Sequence, residues 1–120
     1  FLFEGQLPEF NLGTNHSVTC APEIEKTAVE VCSSATGFNS VINERFKGGW
    51  TIRYYGDPAN EIHAIQLEIS QRTYMNEYHP WNYNGDKAKI LRIHLKKLLV
   101  GLEQMVINKA IALKNTRKVF

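Results

Sequence analysis

The residues best suited to chemistry are Glu68 and Arg53, which stand in two neighbouring apolar segments. Glu68 lies in "IQLEI", where Ile65, Leu67 and Ile69 alternate with polar residues, as in a strand with one apolar and one polar face. Arg53 lies in "WTIRYY", a segment of high strand propensity. Such a carboxylate can accept a proton from water, and such a guanidinium can hold a substrate carboxylate by two parallel hydrogen bonds. The plainer alternatives are a solvent-exposed carboxylate and a surface ion pair.

The four histidines do not form a recognisable metal motif. None of HxH, HxxE and HExxH occurs, so a catalytic zinc site with three protein ligands is not readable from this chain. His94 is expected on the flank of a long helix, His79 in loop packing, and His63 on the strand face opposite Glu68. His16 lies in a polar loop and could reach a site.

Other catalytic motifs are missing from the sequence. No serine stands in a GxSxG elbow, and neither cysteine has a partner for nucleophilic catalysis. The segment "KGG" at 47–49 lacks the GxxxxGK[ST] spacing of a phosphate loop. Its glycines favour a simple turn, with the approach of the backbone to a ligand as the alternative.

Composition describes an ordinary globular protein. The 120 residues fit one domain or part of one, with 43% hydrophobic and 22% charged residues. A net charge of +2 and the lack of a basic stripe with interleaved aromatic residues do not favour nucleic-acid binding. No apolar run is long enough for a membrane span. Cys20 and Cys32 form no CxxC pattern, which indicates a reducing, cytoplasmic setting.

The pattern of elements predicts an α/β fold. Residues 7–22 are predicted to be a loop with at most a short extended piece. A first helix is predicted between Pro22 and Gly37, and a long amphipathic helix over residues 86–114. The predicted strands cover residues 38–43, 50–55 and 62–70.

Three segments, in this order and spacing, resemble one enzyme family. "LPEFNLGTNHSVTCAP", "NERFKGGWTIRYYGDP" and "HAIQLEISQRTYMNE" look like the C-terminal half of N-formylglutamate amidohydrolase (N-formylglutamate deformylase), over about residues 2–105. The resemblance implies the C-terminal part of a zinc-carboxypeptidase-like mixed sheet flanked by helices. Residues 1–120 would then be the C-terminal portion of a single amidohydrolase domain. The implied reaction is removal of formate from N-formyl-L-glutamate in histidine degradation.

The same resemblance assigns roles to three residues. Glu68 matches the family's general base on a late strand, and Arg53 matches a Gly-Gly-aromatic-x-x-Arg segment, which implies a substrate-carboxylate role. Asn15 in "NLGTN" is a weaker candidate for substrate contact. Trp50 and Tyr54 depart from the tyrosine and histidine common in the family, so no hydroxyl or imidazole role is carried over to them.

The resemblance also implies a zinc ion whose ligands are expected upstream of this chain, because no matching ligand segment occurs within it. The chain starts at Phe1 without methionine, so it is expected to be a fragment or processed product, inactive alone. The expected partner is a small-molecule substrate, without nucleic acid or membrane. The alternatives are an aspartoacylase-like or peptidase-like hydrolase of N-acyl amino acids, and a non-catalytic binding module that retains the fold.

Overall fold

The computed structural model describes residues 3–118 and contains three strands and three α-helices within that range. Two short 3-10 turns, Pro58–Asn60 and Gln71–Thr73, flank the third strand. The main elements in chain order are β1 (Phe10–Gly13), α1 (Pro22–Ser33), β2 (Ser40–Ile42), α2 (Trp50–Tyr55), β3 (Gln66–Ile69) and α3 (Gly85–Lys118). The predicted α/β character is confirmed.

The strands form one mixed sheet in the order β2-β1-β3. β1 pairs in parallel with β2 and antiparallel with β3. All four residues of the central strand β1 are buried, although this segment was predicted to be a loop with at most a short extended piece. The four-residue β1 is this short extended piece, and since it carries Asn11 and Gly13, pairing on both sides, and not local sequence preference, makes it a strand.

The core lies between one face of this sheet and the helices α1 and α3. Phe10 and Leu12 alternate toward that face and are each only 2% exposed. They form one apolar cluster with Ala28 of α1 and with Leu91 and Leu98 of α3. Since strand side chains alternate, the intervening Asn11 belongs to the opposite face of the sheet.

The segment "WTIRYY" is the helix α2, so the prediction of a strand over 50–55 was wrong. Helical spacing brings Trp50 and Tyr54 together in a stacked pair with ring centroids 4.6 Å apart, while Ile52 is the one buried side chain. High strand propensity reflects fit to a pleated, half-buried surface. The aromatic residues of this segment are instead largely exposed. Because they do not pack on a sheet, their strand propensity does not determine the local structure.

The remaining boundaries refine the sequence predictions. α1 begins at Pro22 as expected and ends at Ser33, so that Gly37 lies beyond the helix with a φ of +81°. β3 is shorter than the predicted 62–70 because Ile62 pairs with Asp57 in an isolated bridge before the sheet begins. α3 slightly exceeds the predicted 86–114. Within residues 3–118, no helix has the length and apolar character of a membrane span.

Candidate active site

Glu68 lies on the sheet face that points away from the helices. Its neighbours Leu67 and Ile69 pack against the apolar core, whereas Glu68 is the one exposed residue of β3. The alternation seen in "IQLEI" is therefore the real alternation of this strand. Glu68 shares its face with Gln66, two residues earlier.

Gln66 connects Glu68 to residues 46–49, the loop before α2 that contains Gly48 and Gly49. This loop is called the glycine loop below. The Nε2 atom of Gln66 donates a hydrogen bond of 2.9 Å to Oε1 of Glu68. The backbone N–H of Gly49 donates to Oε1 of Gln66 at 2.7 Å. One amide side chain thus orients the carboxylate and fixes its own orientation against the backbone. Gln66 was not predicted as a site residue, although its i−2 spacing from Glu68 was a usable signal.

The end of β1 brings the same glycine loop close to the sheet. A Cβ atom on Gly13 would lie 2.9 Å from backbone atoms of residues 46–48, closer than real Cβ atoms come. Gly13 is also the cross-strand partner of Gln66. Close backbone approach is a specific use of glycine, and here it places the 46–48 segment beside the strand end that leads to Glu68. Gly48 itself has a φ of +122°, so "KGG" forms a turn as well as this close approach.

Asn15 stands in the tight turn that follows β1. Its backbone N–H donates to the carbonyl of Lys47 at 2.6 Å, and Asn15, His16 and Ser17 all have positive φ. Among the described residues, no hydrogen bond is formed by the side-chain amide of Asn15, which is half-buried. The turn therefore presents Asn15 beside the loop that also contacts Gln66.

Thr14 holds this turn from inside the protein. It is fully buried, and its Oγ1 donates to Oε2 of Glu25 at 2.6 Å. The same oxygen accepts from Nδ2 of Asn43 at 2.8 Å and from the N–H of Ser17 at 3.0 Å. A network satisfied in this way rigidifies the backbone that carries it. Asn15 is thus held by a fixed turn.

Arg53 lies on α2, one helical turn after Gly49. The N–H of Arg53 donates to the Gly49 carbonyl at 3.4 Å. Its side chain is exposed and forms no ion pair with the described residues. The helix places Arg53 near Gly49, and the Gly49 N–H donates to the Gln66 side chain that holds Glu68. Gly49 therefore connects the two candidate residues, which the sequence had put on adjacent strands.

The sheet face that carries Glu68 also carries a buried amide, on the neighbouring strand β1. Asn11 is directly opposite Glu68 in the antiparallel register and is only 1% exposed. Its Nδ2 donates to the Pro8 carbonyl at 2.8 Å. Sequence reasoning missed Asn11 because its relation to Glu68 depends on the pairing of β1, which was predicted to be a loop with at most a short extended piece.

The other candidate chemistry lies away from Glu68. His63 precedes β3 and accepts the Ala21 N–H on Nδ1 at 3.1 Å, a structural role. His94 packs edge-on against Phe38, and burial lowers its pKa below the usual value.

Burial raises the pKa of Cys20 and of Cys32 to about 11, so both free thiols stay protonated.

The expected zinc ion has no binding site within residues 3–118. No group of three or more His, Cys, Asp or Glu side chains converges there, whereas a catalytic zinc takes three protein ligands. Glu68, Gln66 and Asn11 supply one carboxylate and two amides, which is not a zinc ligand set. The described residues therefore do not fit the metal.

A separate cavity of about 350 Å³ lies at the start of β1. Glu9 and Arg72 line it and are paired there by two hydrogen bonds of 2.9 and 2.6 Å. Gly13 and the glycine loop are at the other end of that strand. The cavity is therefore not the site that contains Glu68.

Sequence and structure comparisons relate the chain to one family of proteins. The sequence model of the N-formylglutamate amidohydrolase family matches residues 1–75. A crystal structure of N-formylglutamate amidohydrolase from Ralstonia eutropha JMP134 superposes with a TM-score of 0.67 at 24% identity, over 87% of this chain and 35% of that one. At this low sequence identity, the superposition shows that the fold is similar.

Two relatives give the more specific match. N-formylglutamate deformylases from Pseudomonas putida and Pseudomonas aeruginosa are 50% and 46% identical to the chain over 101 residues. The chain belongs to the N-formylglutamate amidohydrolase family, which confirms the predicted resemblance. The match covers 84% of this chain and 38% of each relative, so the chain spans about two fifths of their length.

Proposed function

We propose that the protein carrying this chain is an N-formylglutamate deformylase, which hydrolyses N-formyl-L-glutamate to formate and L-glutamate. The observation that supports this best is the identity of 46–50% to two proteins of that name over most of the chain. The site supports the same chemistry, because amide hydrolysis by water needs an oriented base. Histidine degradation and a cytoplasmic location belong to this proposal.

In this proposal Glu68 is the general base. As the oxygen of a water molecule attacks the formyl carbon, Glu68 accepts a proton from that water. When the C–N bond breaks, Glu68 gives the proton to the amine nitrogen, and formate and glutamate leave. The hydrogen bond from Gln66 to Oε1 of Glu68 holds one carboxylate oxygen and leaves the other to exchange the proton.

Arg53 and Asn15 are assigned to substrate binding. The guanidinium of Arg53 would pair with a carboxylate of N-formyl-L-glutamate, and the Asn15 amide, whose backbone bonds the Lys47 carbonyl, would contact the substrate. A zinc ion remains the expected cofactor, with ligands upstream of this chain, and a catalytic zinc lowers the pKa of its bound water. The carboxypeptidase-like sheet is likewise part of the proposal.

The test is release of formate by the complete gene product and by its Glu68→Gln variant. N-formyl, N-acetyl and N-succinyl amino acids are assayed side by side, with N-formyl-L-glutamate expected to be preferred. Loss of a positioned acid–base group lowers kcat by roughly 10²–10⁴-fold. Glu103→Gln, at an exposed position of α3, is the matched control and retains activity. A Glu68→Gln rate within about tenfold of wild type would remove Glu68 from the role of base.

A further inference from the structure

The Oδ1 atom of Asn11 is a buried hydrogen-bond acceptor without a partner among residues 3–118. Leaving such an acceptor unpaired destabilises the folded state, and buried polar groups in native proteins are nearly always paired. Asn11 stands in the central strand, where it is 1% exposed. An apolar residue of similar shape would avoid this destabilisation. The presence of an amide at this position therefore indicates a role other than packing.

The orientation of this amide follows from its other contact. The carbonyl of Pro8 can only accept a hydrogen bond, so the atom that faces it at 2.8 Å must be Nδ2 of Asn11. The Oδ1 atom therefore points away from Pro8. Exchanging the two atoms would leave two acceptors facing each other, so the orphan is the oxygen.

The cross-strand partner of Asn11 is Glu68. Directly opposite residues of an antiparallel pair share a face, with Cβ atoms about 4.5–5.5 Å apart. An ionised Glu68 has acceptors only and cannot satisfy Oδ1 of Asn11, but a protonated Glu68 carries one O–H donor. The cross-strand partner of the residue with the orphan acceptor is thus a group that becomes a donor when it takes up a proton.

Resting on the proposed function, we propose that Asn11 is a positioning residue for the protonated form of Glu68. When Glu68 has taken the proton of the attacking water, its O–H donates to Oδ1 of Asn11. The proton then passes to the leaving nitrogen as the C–N bond breaks, and Asn11 is unchanged. Gln66, which donates to Oε1 of Glu68, serves the ionised form, and Asn11 serves the neutral one.

The test compares Asn11→Leu with wild type in the complete gene product, using formate release from N-formyl-L-glutamate. Because Asn11 acts after substrate is bound, kcat falls by about tenfold, the value of one hydrogen bond, and KM stays unchanged. Ser70→Ala is the matched control, since Ser70 Oγ is the other buried orphan among the described residues and lies past the end of β3. It retains the wild-type kcat.

A double-mutant cycle separates this role from a structural one. In a Glu68→Ala background, adding Asn11→Leu lowers the residual rate by less than about twofold, because the group it acts on is gone. Circular dichroism and thermal melting verify that each variant is folded at the assay temperature. Asn11→Ala, which also lacks the acceptor, gives the same pattern and decides the matter where Asn11→Leu does not fold.

Three results would overturn the inference. A wild-type kcat in both Asn11 variants refutes the role of Asn11 and leaves the deformylase proposal intact. An equal loss of rate in the wild-type and Glu68→Ala backgrounds shows that Asn11 acts independently of Glu68. Wild-type protein that releases no formate refutes the proposed function itself, and the role of Asn11 with it.

Discussion

Gln66 and Glu68 lie two residues apart on one face of β3, and Nε2 of Gln66 donates a 2.9 Å hydrogen bond to Oε1 of Glu68. The same Gln66 side chain accepts the Gly49 N–H, so one residue orients the carboxylate and ties it to the loop before α2. Glu68 is therefore an exposed carboxylate with a fixed hydrogen-bond donor. This relationship makes the position of Glu68 depend on Gln66.

Gln66→Met should therefore impair hydrolysis while leaving the strand intact. Methionine has a similar length but neither donates to Glu68 nor accepts from Gly49. The lost hydrogen bond is made to a charged group, so kcat/KM for N-formyl-L-glutamate should fall roughly tenfold to a hundredfold. The matched control is Gln71→Met, at an exposed site just after β3. Equal kcat/KM values for the two variants would show that the orientation of Glu68 by Gln66 does not matter for hydrolysis.

Gly13→Ala tests the close approach of the 46–48 segment to β1. The added methyl group would lie 2.9 Å from three backbone atoms, and backbone cannot move aside as a flexible side chain can. Overpacking of this kind typically costs about 1–3 kcal/mol of unfolding free energy, and it should also displace the glycine loop. Urea unfolding measures the stability, and the deformylase assay measures the displacement.

Gly85→Ala provides the control for that substitution. Its new Cβ would have one contact, at 4.0 Å from Tyr83 Cε1, and Gly85 opens α3, where alanine is a good helix former. The unfolding free energy should be unchanged or higher. If Gly13→Ala is as stable and as active as Gly85→Ala, the close packing at Gly13 does not constrain the site.

The two cysteines should be inert in the folded protein. Burial raises the pKa of each thiol to about 11, so at pH 8 only about one thiol in a thousand is ionised. Cys20 is 1% exposed and Cys32 is 2% exposed. Ellman's reagent at pH 8 should therefore label neither cysteine in native protein and both in guanidinium chloride. Rapid native labelling would mean that α1, which carries Cys32, opens readily.

Sequence periodicity predicted α1 and α3 because their apolar stripes recur over several turns. The stripe that contains Leu91 and Leu98 recurs over many turns, and Pro22 marks the start of α1. "WTIRYY" failed because aromatic and β-branched residues favour strands only where a sheet is present to pack against. Ile52 is the one buried side chain of α2, so this helix lies on the surface.

The candidate site was predictable only in the part that lies within one strand. Alternation around Glu68 is local information, and it was correct. Asn11 and Gly13 reach the site through the register between β1 and β3, and that pairing joins residues far apart in the chain. Since β1 itself was predicted to be a loop with at most a short extended piece, its cross-strand partners could not be inferred.

Arg53 is the residue whose proposed role is most open to kinetic test. Arg53→Leu should raise KM for N-formyl-L-glutamate by roughly tenfold to a hundredfold, because a charged hydrogen-bonding partner is lost, with a smaller change in kcat. Arg53→Lys keeps the charge without the two-pronged geometry and should be intermediate. Arg117→Leu, at the far end of α3, is the control.

Substrate analogues complete the test of Arg53. N-formyl-L-glutamine lacks the side-chain carboxylate, and the α-amide of N-formyl-L-glutamate lacks the other. The analogue that lacks the carboxylate bound by Arg53 should bind wild type and Arg53→Leu equally weakly. If both analogues lose as much affinity as the substrate does on substitution, Arg53 does not bind a carboxylate.

The ion pair between Glu9 and Arg72 should make stability depend on pH. Burial by itself would raise the pKa of Glu9, but hydrogen bonds from the Asn39 N–H and from Arg72 outweigh it and lower the pKa from 4.5. A carboxylate with a lowered pKa stabilises the fold above its unfolded pKa, and this contribution is lost as pH falls through the folded value. Urea unfolding should therefore show stability decreasing below pH 4.5.

Arg72→Met isolates that contribution from other acid effects. The pair is largely shielded, with side chains 19% and 14% exposed, so its removal should cost roughly 2 kcal/mol at neutral pH, as for a hydrogen bond to a charged group. The variant should also lose less stability than wild type between neutral pH and the acid range, because the Arg72 contribution to the lowered pKa of Glu9 is gone while that of the Asn39 N–H remains. Lys26→Met, which breaks an exposed pair with Glu30, should leave the pH profile unchanged. Parallel profiles for wild type and Arg72→Met would show that acid sensitivity comes from other carboxylates.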